Sequence, residues 1–151
     1  MPVFHAVTSG AVRGTDRYGS GKFGVSRDGG KRSHQGLDLV AFPGEKVLSP
    51  IEGIVVREAR PYRDDPKYGG LVISGTGDWK GFEVKMFYVQ GIKMGRVRAG
   101  EVVGTAQDLG KKYPGITNHV HMEVRLHGLV ISPASMFAAP APGANGAGAG
   151  K

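Results

Sequence analysis

Glycine and proline interrupt this chain at intervals that are too short for long helices. The 151 residues include 26 glycines and nine prolines. Both residue types weaken the interior of a helix, whereas both are common in the turns between strands. Short segments such as 53–57, 71–74 and 82–89 are rich in β-branched or aromatic residues, which favour strands. The sequence therefore predicts a mainly β protein with little helix, folded around one core.

The strand pattern also predicts where individual side chains point. Alternation along 82–89 places Phe82, Val84, Met86 and Tyr88 on one face of a strand. The only tryptophan, Trp79, falls in a turn between two predicted strands. There it either lines a binding site or packs against the sheet, and the sequence leaves both alternatives open.

Composition divides the chain into three parts. Residues 1–33 are rich in Gly, Ser, Arg and Lys, which predicts an N-terminal arm packed on the core at a few points. Residues 34–137 contain the predicted strands and form the domain itself. Residues 138–151 are almost entirely Ala, Gly and Pro, so they can bury little and are expected to be a disordered tail.

Charge and composition limit the classes of partner. Twenty basic residues against 13 acidic ones give a net charge of +7 and a pI near 9.8, which favours an anionic partner. The basic residues are dispersed and accompany no nucleic-acid-binding motif, so we expect peptidoglycan or another anionic cell-wall polymer rather than nucleic acid. No apolar run is long enough for a membrane span. Without cysteine, disulfides and thiolate metal sites are excluded. We expect a monomer.

Two short motifs carry the chemistry. The first is His34-x-Gly36-x-Asp38, and the second is His119-x-His121, about 80 residues further along the chain. Zinc binds nitrogen and oxygen donors at about 2.0–2.2 Å, and a catalytic zinc ion keeps one position open. His34, Asp38 and one histidine of the second motif would supply three ligands. Residues two apart on a strand share a face, so His119 and His121 are expected in one cleft, one as ligand and one beside the metal. The alternative is a set of unrelated polar residues.

These motifs resemble those of the lysostaphin-type (LytM-type) zinc endopeptidases, which cut peptidoglycan cross-bridges. Within that family the likeness is greatest to the leukocyte cell-derived chemotaxin branch. The segments that carry it are Asp16-Arg17-x-Gly19, His34-Gln35-Gly36-x-Asp38, Pro61-Tyr62, Ile73-Ser74-Gly75, Val84-Lys85-Met86-Phe87-Tyr88 and Tyr113-Pro114-Gly115-Ile116-x-x-His119-Val120-His121-x-Glu123. They extend over roughly residues 13–137.

The resemblance implies a small antiparallel β fold with a groove floored by Zn²⁺. It implies that His34, Asp38 and His121 bind the metal and that His119 is a catalytic histidine. Tyr88 stands where the peptidases have a second catalytic histidine. A phenol donates a hydrogen bond but does not take up a proton near neutral pH. The resemblance therefore implies a peptidoglycan endopeptidase with altered catalysis. The alternative is a non-catalytic, zinc-stabilised protein that recognises cell-wall glycopeptide or a receptor.

Activity on the cell wall requires a location outside the cytoplasm, in the periplasm or the wall. The first residues of the chain lack the basic and apolar regions of a secretory signal peptide. We therefore expect export by another route, such as phage lysis or a secretion apparatus.

Overall fold

Antiparallel β-sheet makes up nearly all the regular structure, so the predicted fold class is confirmed. The computed structural model describes residues 3–16, 18–21, 26–27, 32–33 and 36–137. Its strands are β1 (Thr15–Asp16), β2 (Gly19–Ser20), β3 (Ser26–Arg27), β4 (Arg32–Ser33), β5 (Leu37–Val40), β6 (Lys46–Leu48), β7 (Gly53–Ala59), β8 (Gly70–Gly75), β9 (Phe82–Phe87), β10 (Val89–Gln90), β11 (Gly95–Val97), β12 (Val102–Ala106), β13 (His119–Leu126) and β14 (Leu129–Ile131). The described helical elements are 3₁₀ turns at Gly77–Trp79 and Ala134–Met136. None of them has the length or apolar character needed to cross a bilayer.

The strands form one large and one small sheet, with two short hairpins. The large sheet has seven strands, ordered β11-β7-β8-β9-β13-β14, and β5 also pairs with β13. The small sheet has the order β10-β12-β6, and the hairpins are β1–β2 and β3–β4. The longest strand, β13, has β9 along one edge and both β5 and β14 along the other. It is therefore positioned by three neighbours at once.

The hydrophobic core lies between one face of the large sheet and the small sheet, and residues of both sheets contribute to it. Val120, Met122 and Val124 of β13 are fully buried. They pack in one cluster with Val47, Val103 and Ala106 of the small sheet. Because side chains alternate along a strand, the same register turns His119, His121 and Glu123 to the opposite face of the sheet. The apolar residues of β13 thus determine where its polar residues point.

An aromatic cluster closes the core beside the N-terminal segment. Trp79 is 7% exposed, and its ring lies 5.3 Å from that of Phe4 and 5.1 Å from that of Phe82. The structure thus selects the packing alternative for Trp79. Phe4 and Val7 are both buried in the same core, which joins this early part of the chain to the sheet.

The predicted strand 82–89 is interrupted at Tyr88. This residue has a φ of +72°, in the left-handed region that bulky side chains rarely adopt. The chain leaves the large sheet at Phe87 and enters the small sheet at Val89. The alternation predicted for this segment therefore holds for Phe82, Val84 and Met86 but fails at Tyr88. Its ring instead lies against those of His119 and Tyr68.

Candidate active site

Pairing of β5 with β13 brings together residues from the two sequence motifs. In this antiparallel pair, Asp38 lies directly opposite His121. The Oδ1 atom of Asp38 is 2.9 Å from Nδ1 of His121, and its Oδ2 atom is 3.4 Å from Nε2 of His119. Asp38 and His119 are buried, with 3% and 4% exposed. The structure therefore brings Asp38, His119 and His121 together in one place.

His121 is held from both ring nitrogens and from one ring face. Its Nε2 atom is 2.9 Å from Oε2 of Glu123, and Nδ1 faces Asp38. The ring of Phe87 stacks on the imidazole, with centroids 5.6 Å apart and planes 13° from parallel. Burial lowers the pKa of His121, but the hydrogen bonds with Asp38 and Glu123 outweigh that effect and raise it above its ordinary value. The imidazole is thus fixed in both orientation and position.

His119 is held by a backbone carbonyl, and its pKa is shifted in the opposite direction to that of His121. Its Nδ1 atom is 2.8 Å from the carbonyl oxygen of Thr117. A carbonyl can only accept a hydrogen bond, so Nδ1 donates and Nε2 retains its lone pair in the neutral imidazole. Burial lowers the pKa of His119 below its ordinary value. At neutral pH the imidazole of His119 is therefore uncharged, and its Nε2 atom lies 3.4 Å from Oδ2 of Asp38.

Tyr88 lies beside His119 and belongs to a chain of tyrosine hydroxyls. Its ring meets that of His119 edge-on, with centroids 5.5 Å apart. The hydroxyl of Tyr62 is 2.9 Å from that of Tyr88 and 2.7 Å from that of Tyr113. Burial raises the pKa of Tyr88 to about 12, so its phenol stays protonated at neutral pH. The phenol of Tyr88 is therefore neutral, and either hydroxyl of the Tyr62–Tyr88 pair can be the hydrogen-bond donor.

Gly36 passes against the site at a distance that only glycine permits. A Cβ atom at this position would lie 2.5 Å from the carbonyl oxygen of Met122 and 2.6 Å from Cε1 of His121. Both distances are shorter than van der Waals contact. Glycine is therefore required at this position for the close approach of the Gly36 backbone to His121.

The family model for "Peptidase family M23" matches residues 32–133, most of the chain and all the strands that form this site. The chain belongs to peptidase family M23. A curated relative is leukocyte cell-derived chemotaxin-2 of Mus musculus, which is 38% identical over 118 residues, or 77% of this chain and 74% of the relative. These matches confirm the family and the branch that the motifs indicate.

Two solved structures share the fold. The catalytic domain of the antimicrobial peptidase lysostaphin from Staphylococcus simulans has a TM-score of 0.57 and 18% identity, with 76% of this chain and 86% of that domain covered. Csd3 of Helicobacter pylori has a TM-score of 0.54 and 20% identity over 92% of this chain. The chain spans about a third of Csd3, namely 33%. At these identities the likeness concerns the fold alone.

Peptidase family M23 is generally zinc-dependent, and the donors in this M23 domain fit zinc in part. Two atoms that bind one zinc ion at about 2.0–2.2 Å lie at most roughly 4.4 Å apart. Oδ1 of Asp38 and Nδ1 of His121 meet this limit at 2.9 Å. Among the residues that the structure describes, no group of three or more His, Asp or Glu side chains is arranged to hold a metal ion. The third predicted ligand, His34, lies outside those residues.

Sequence reasoning gave no role in this M23 site to three residues, although two of them, Asp16 and Tyr62, stand in segments that carry the family resemblance. Arg13 and Asp16 contact Asp38 and the segment before His119, and Tyr62 joins Tyr88 to a neighbouring loop. Arg13 and Asp16 are three residues apart, and an acidic and a basic residue at that spacing are too common to indicate a site. Their partners lie far along the chain, so a local pattern does not show what they contact.

Proposed function

We propose that this M23 domain is a zinc-dependent endopeptidase that hydrolyses peptide cross-links of peptidoglycan, with Tyr88 in the place of a catalytic histidine. One observation carries the proposal. Within a chain of the M23 family, Asp38 presents one carboxylate oxygen to His121 and the other to His119, at 2.9 and 3.4 Å, on one face of the sheet. A carboxylate between two imidazoles is a donor set suited to zinc with an adjacent base.

In this proposal His34, Asp38 and His121 hold Zn²⁺. Gly36 is packed against the imidazole of His121, and only two peptide bonds separate it from His34, so the first motif is tethered to the site. Nδ1 of His121 is the atom that faces Asp38, and Glu123 fixes the tautomer by accepting a hydrogen bond from Nε2. Zinc, when bound, supplies a Lewis acid that polarises the scissile carbonyl and activates water.

His119 serves as the general base. Its Nδ1–H is committed to the Thr117 carbonyl, so Nε2 is the nitrogen that takes a proton from the attacking water. The lowered pKa keeps the imidazole neutral, and therefore able to accept that proton, at neutral pH. The proton then passes to the leaving amine, which restores the neutral imidazole.

Tyr88 donates a hydrogen bond to the oxyanion that develops on the substrate. Its protonated phenol can stabilise negative charge, but it cannot exchange a proton as an imidazole does near pH 7. One such donor is worth about 2.7–4 kcal/mol of transition-state stabilisation. The replacement of histidine by tyrosine therefore lowers turnover without removing the other groups that act on the peptide bond.

The surface beside the site supports a charged peptide substrate. Beyond His121 the same sheet face continues into a cavity of about 170 Å³. Its lining residues carry charges of both signs and are Arg57, Glu83, Lys85, Glu123 and Arg125. Peptidoglycan stem peptides carry both amino and carboxylate groups, and the net charge of +7 favours an anionic wall polymer as surroundings.

We place this activity outside the cytoplasm and assign it to a monomer. Nucleic acid is not its substrate in this proposal.

A second candidate function is a zinc-stabilised binding protein without catalysis. The observation that favours it is the tyrosine at position 88, together with the 38% identity to a protein named as a chemotaxin. In this case the same site recognises a cell-wall glycopeptide or a receptor, and zinc serves to fix the fold.

The experiment that tests both candidates is digestion of purified peptidoglycan, with released fragments identified by mass spectrometry. The wild type is compared with His119→Ala, Tyr88→Phe and Tyr88→His, with and without a zinc chelator. A matched control is His127→Asn, because His127 is an exposed histidine with a φ of +50°, which asparagine tolerates.

A peptidase releases fragments that disappear with chelator and in His119→Ala but persist in His127→Asn. Tyr88→Phe is expected to lower turnover about 10²- to 10³-fold, the rate equivalent of one oxyanion donor. Binding to the wall with no fragments from the wild type contradicts the peptidase and supports the second candidate. If Tyr88→His cleaves peptidoglycan and the wild type does not, the wild type is inactive because it lacks the imidazole at position 88.

A further inference from the structure

A buried arginine from the N-terminal part of the chain bridges two carboxylates beside the site. The side chain of Arg13 is 3% exposed. Its Nη1 atom donates to Oδ2 of Asp38 at 2.9 Å, and its Nη2 atom donates to Oδ1 of Asp16 at 2.8 Å. Nε adds a longer hydrogen bond of 3.3 Å to Asp16. Buried charges are costly unless they are paired, and here both carboxylates share the pairing.

This arrangement gives the two oxygens of Asp38 different partners. Oδ2 accepts from Arg13, whereas Oδ1 faces Nδ1 of His121. The guanidinium is planar and always protonated, so it holds a carboxylate in a defined plane as well as at a defined distance. Arg13 therefore determines which oxygen of Asp38 is turned towards the imidazole.

Asp16 extends the same connection to the other histidine. Its Oδ2 atom accepts a hydrogen bond of 3.0 Å from the backbone N–H of Thr117, and Oδ1 accepts one of 2.8 Å from that of Tyr18. The carbonyl of Thr117 accepts from Nδ1 of His119. A continuous series of contacts thus runs from Asp38 through Arg13 and Asp16 to His119.

The backbone of the N-terminal segment reinforces this contact. The N–H of Arg13 donates to the carbonyl of Asp38 at 2.7 Å, and the N–H of Asp38 donates to the carbonyl of Gly21 at 2.8 Å. Since β13 pairs along the other edge of β5, Asp38 is held from both sides of its strand. The carboxylate has little freedom to rotate while these contacts remain.

We propose that Arg13 is a positioning residue of the metal site, which keeps Asp38 turned so that only Oδ1 binds the metal. Asp16 holds Arg13 in place and fixes the peptide that orients His119. This inference rests on the proposed function, because it requires a metal ion at Asp38. Without Arg13, Oδ2 of Asp38 loses the guanidinium that holds it, and the carboxylate loses its fixed orientation.

The test is the zinc dissociation constant, measured by competition with a chromophoric chelator, for the wild type, Arg13→Lys, Arg13→Met and Asp16→Asn. Both Arg13 variants are expected to bind zinc about 10- to 100-fold more weakly, the usual effect of losing a partner of a metal ligand. Arg13→Lys keeps the charge but loses the planar fork. Arg96→Met is the matched control, since Arg96 is exposed on β11.

A second measurement separates positioning from electrostatics. Removal of a positive charge near a cation should by itself tighten zinc binding in Arg13→Met, so tighter binding overturns the inference. X-ray absorption of the zinc-loaded protein reports the coordination number, which is expected to rise in Arg13→Met as Asp38 becomes bidentate. A general structural defect that loses a protein ligand would let water replace it, which leaves the coordination number unchanged rather than raised.

The outcomes also separate this inference from the proposed function. A wild type that binds no zinc contradicts the proposed function and, with it, any metal role for Arg13. A wild type that binds zinc with unchanged affinity in Arg13→Lys, Arg13→Met and Asp16→Asn overturns the inference alone. Circular dichroism of the metal-free variants checks the fold. If the Arg13 variants do not fold, the nearly isosteric Asp16→Asn decides, with weaker zinc binding expected.

Discussion

At the scale of single residues, Gly36 contributes to the site through the side chain that it lacks. The carbonyl of Met122 and the imidazole of His121 occupy the space that a Cβ atom would take. Tyr88 contributes through its backbone, since its left-handed conformation directs the ring towards His119 rather than into the core. Gly36 lets the chain approach His121, and the backbone of Tyr88 sets the position of its own ring. The effect of changing Gly36 is therefore best measured on the stability of the fold.

Gly36→Ala is therefore expected to destabilise the fold by about 1–3 kcal/mol, the usual effect of forcing a methyl group into a packed region. The measurement is chemical denaturation at neutral pH. Gly14→Ala is the matched control, because nothing lies within 4 Å of a Cβ atom built there. Its effect should stay within about 0.5 kcal/mol. Equal stability of Gly36→Ala and the wild type would contradict the close approach at His121.

At the scale of elements, the short strand β5 depends on what lies along each of its edges. One edge pairs with β13 over Leu37–Val40. Along the other edge, β5 accepts a backbone hydrogen bond from Arg13 and donates backbone hydrogen bonds to the carbonyls of Ala11 and Gly21. Asp16 secures this N-terminal edge through Arg13 and Thr117. This strand of four residues, which contains Asp38, is thus held by charge as well as by sheet pairing.

The charge on Asp16 gives this contact a pH dependence. Burial raises the pKa of Asp16, but hydrogen bonds from Arg13, Thr117 and Tyr18 outweigh it and hold the pKa below the ordinary value. A lowered folded-state pKa stabilises the fold above the unfolded pKa of about 3.9, and this stabilisation is lost as the pH falls below it. At pH 7, Asp16→Asn should be less stable than the wild type by about 1.5–3 kcal/mol.

The check is urea denaturation of both proteins between pH 7 and pH 2.5. The difference in unfolding free energy should be constant from pH 7 to about pH 5 and should narrow below about pH 4. It narrows because the wild type loses stability there while asparagine does not titrate. If the difference in unfolding free energy between the two proteins increased on acidification, the pKa of Asp16 could not be lowered in the folded state.

At the scale of the whole molecule, the site draws its groups from distant parts of the chain. Arg13, Asp38, Tyr88 and the histidines of β13 meet only when the large sheet and the N-terminal segment are in place. The unfolded chain cannot offer these donors together. A ligand that binds them stabilises the folded state in proportion to the logarithm of its concentration over its dissociation constant.

Zinc at 100 times its dissociation constant should therefore raise the free energy of unfolding by about 2.7 kcal/mol. The measurement is thermal or chemical unfolding with and without zinc. His121→Ala should lose most of this gain, whereas His127→Asn should keep it, since His127 is exposed and outside the site. The same gain in His121→Ala would assign zinc to other residues.

The sequence by itself determined the properties that depend on neighbouring residues. Short apolar segments between glycines and prolines indicated the β class, and the two-residue period of a strand placed His119 and His121 on one face. The motifs, taken together, indicated the M23 family. These inferences hold because alternation and turn formation are local, and because a metal site requires particular residue types at particular spacings.

Only the tertiary structure decided which distant groups complete the site. Asp38 meets His121 across 83 residues of sequence, and Arg13 meets Asp38 across 25. The left-handed backbone of Tyr88 occurs where the chain passes from one sheet to the other, so strand alternation could not predict it. The packing of the core and the register of the strands determine these contacts. A local sequence pattern does not predict them, because the free energy that stabilises them comes from the assembled core.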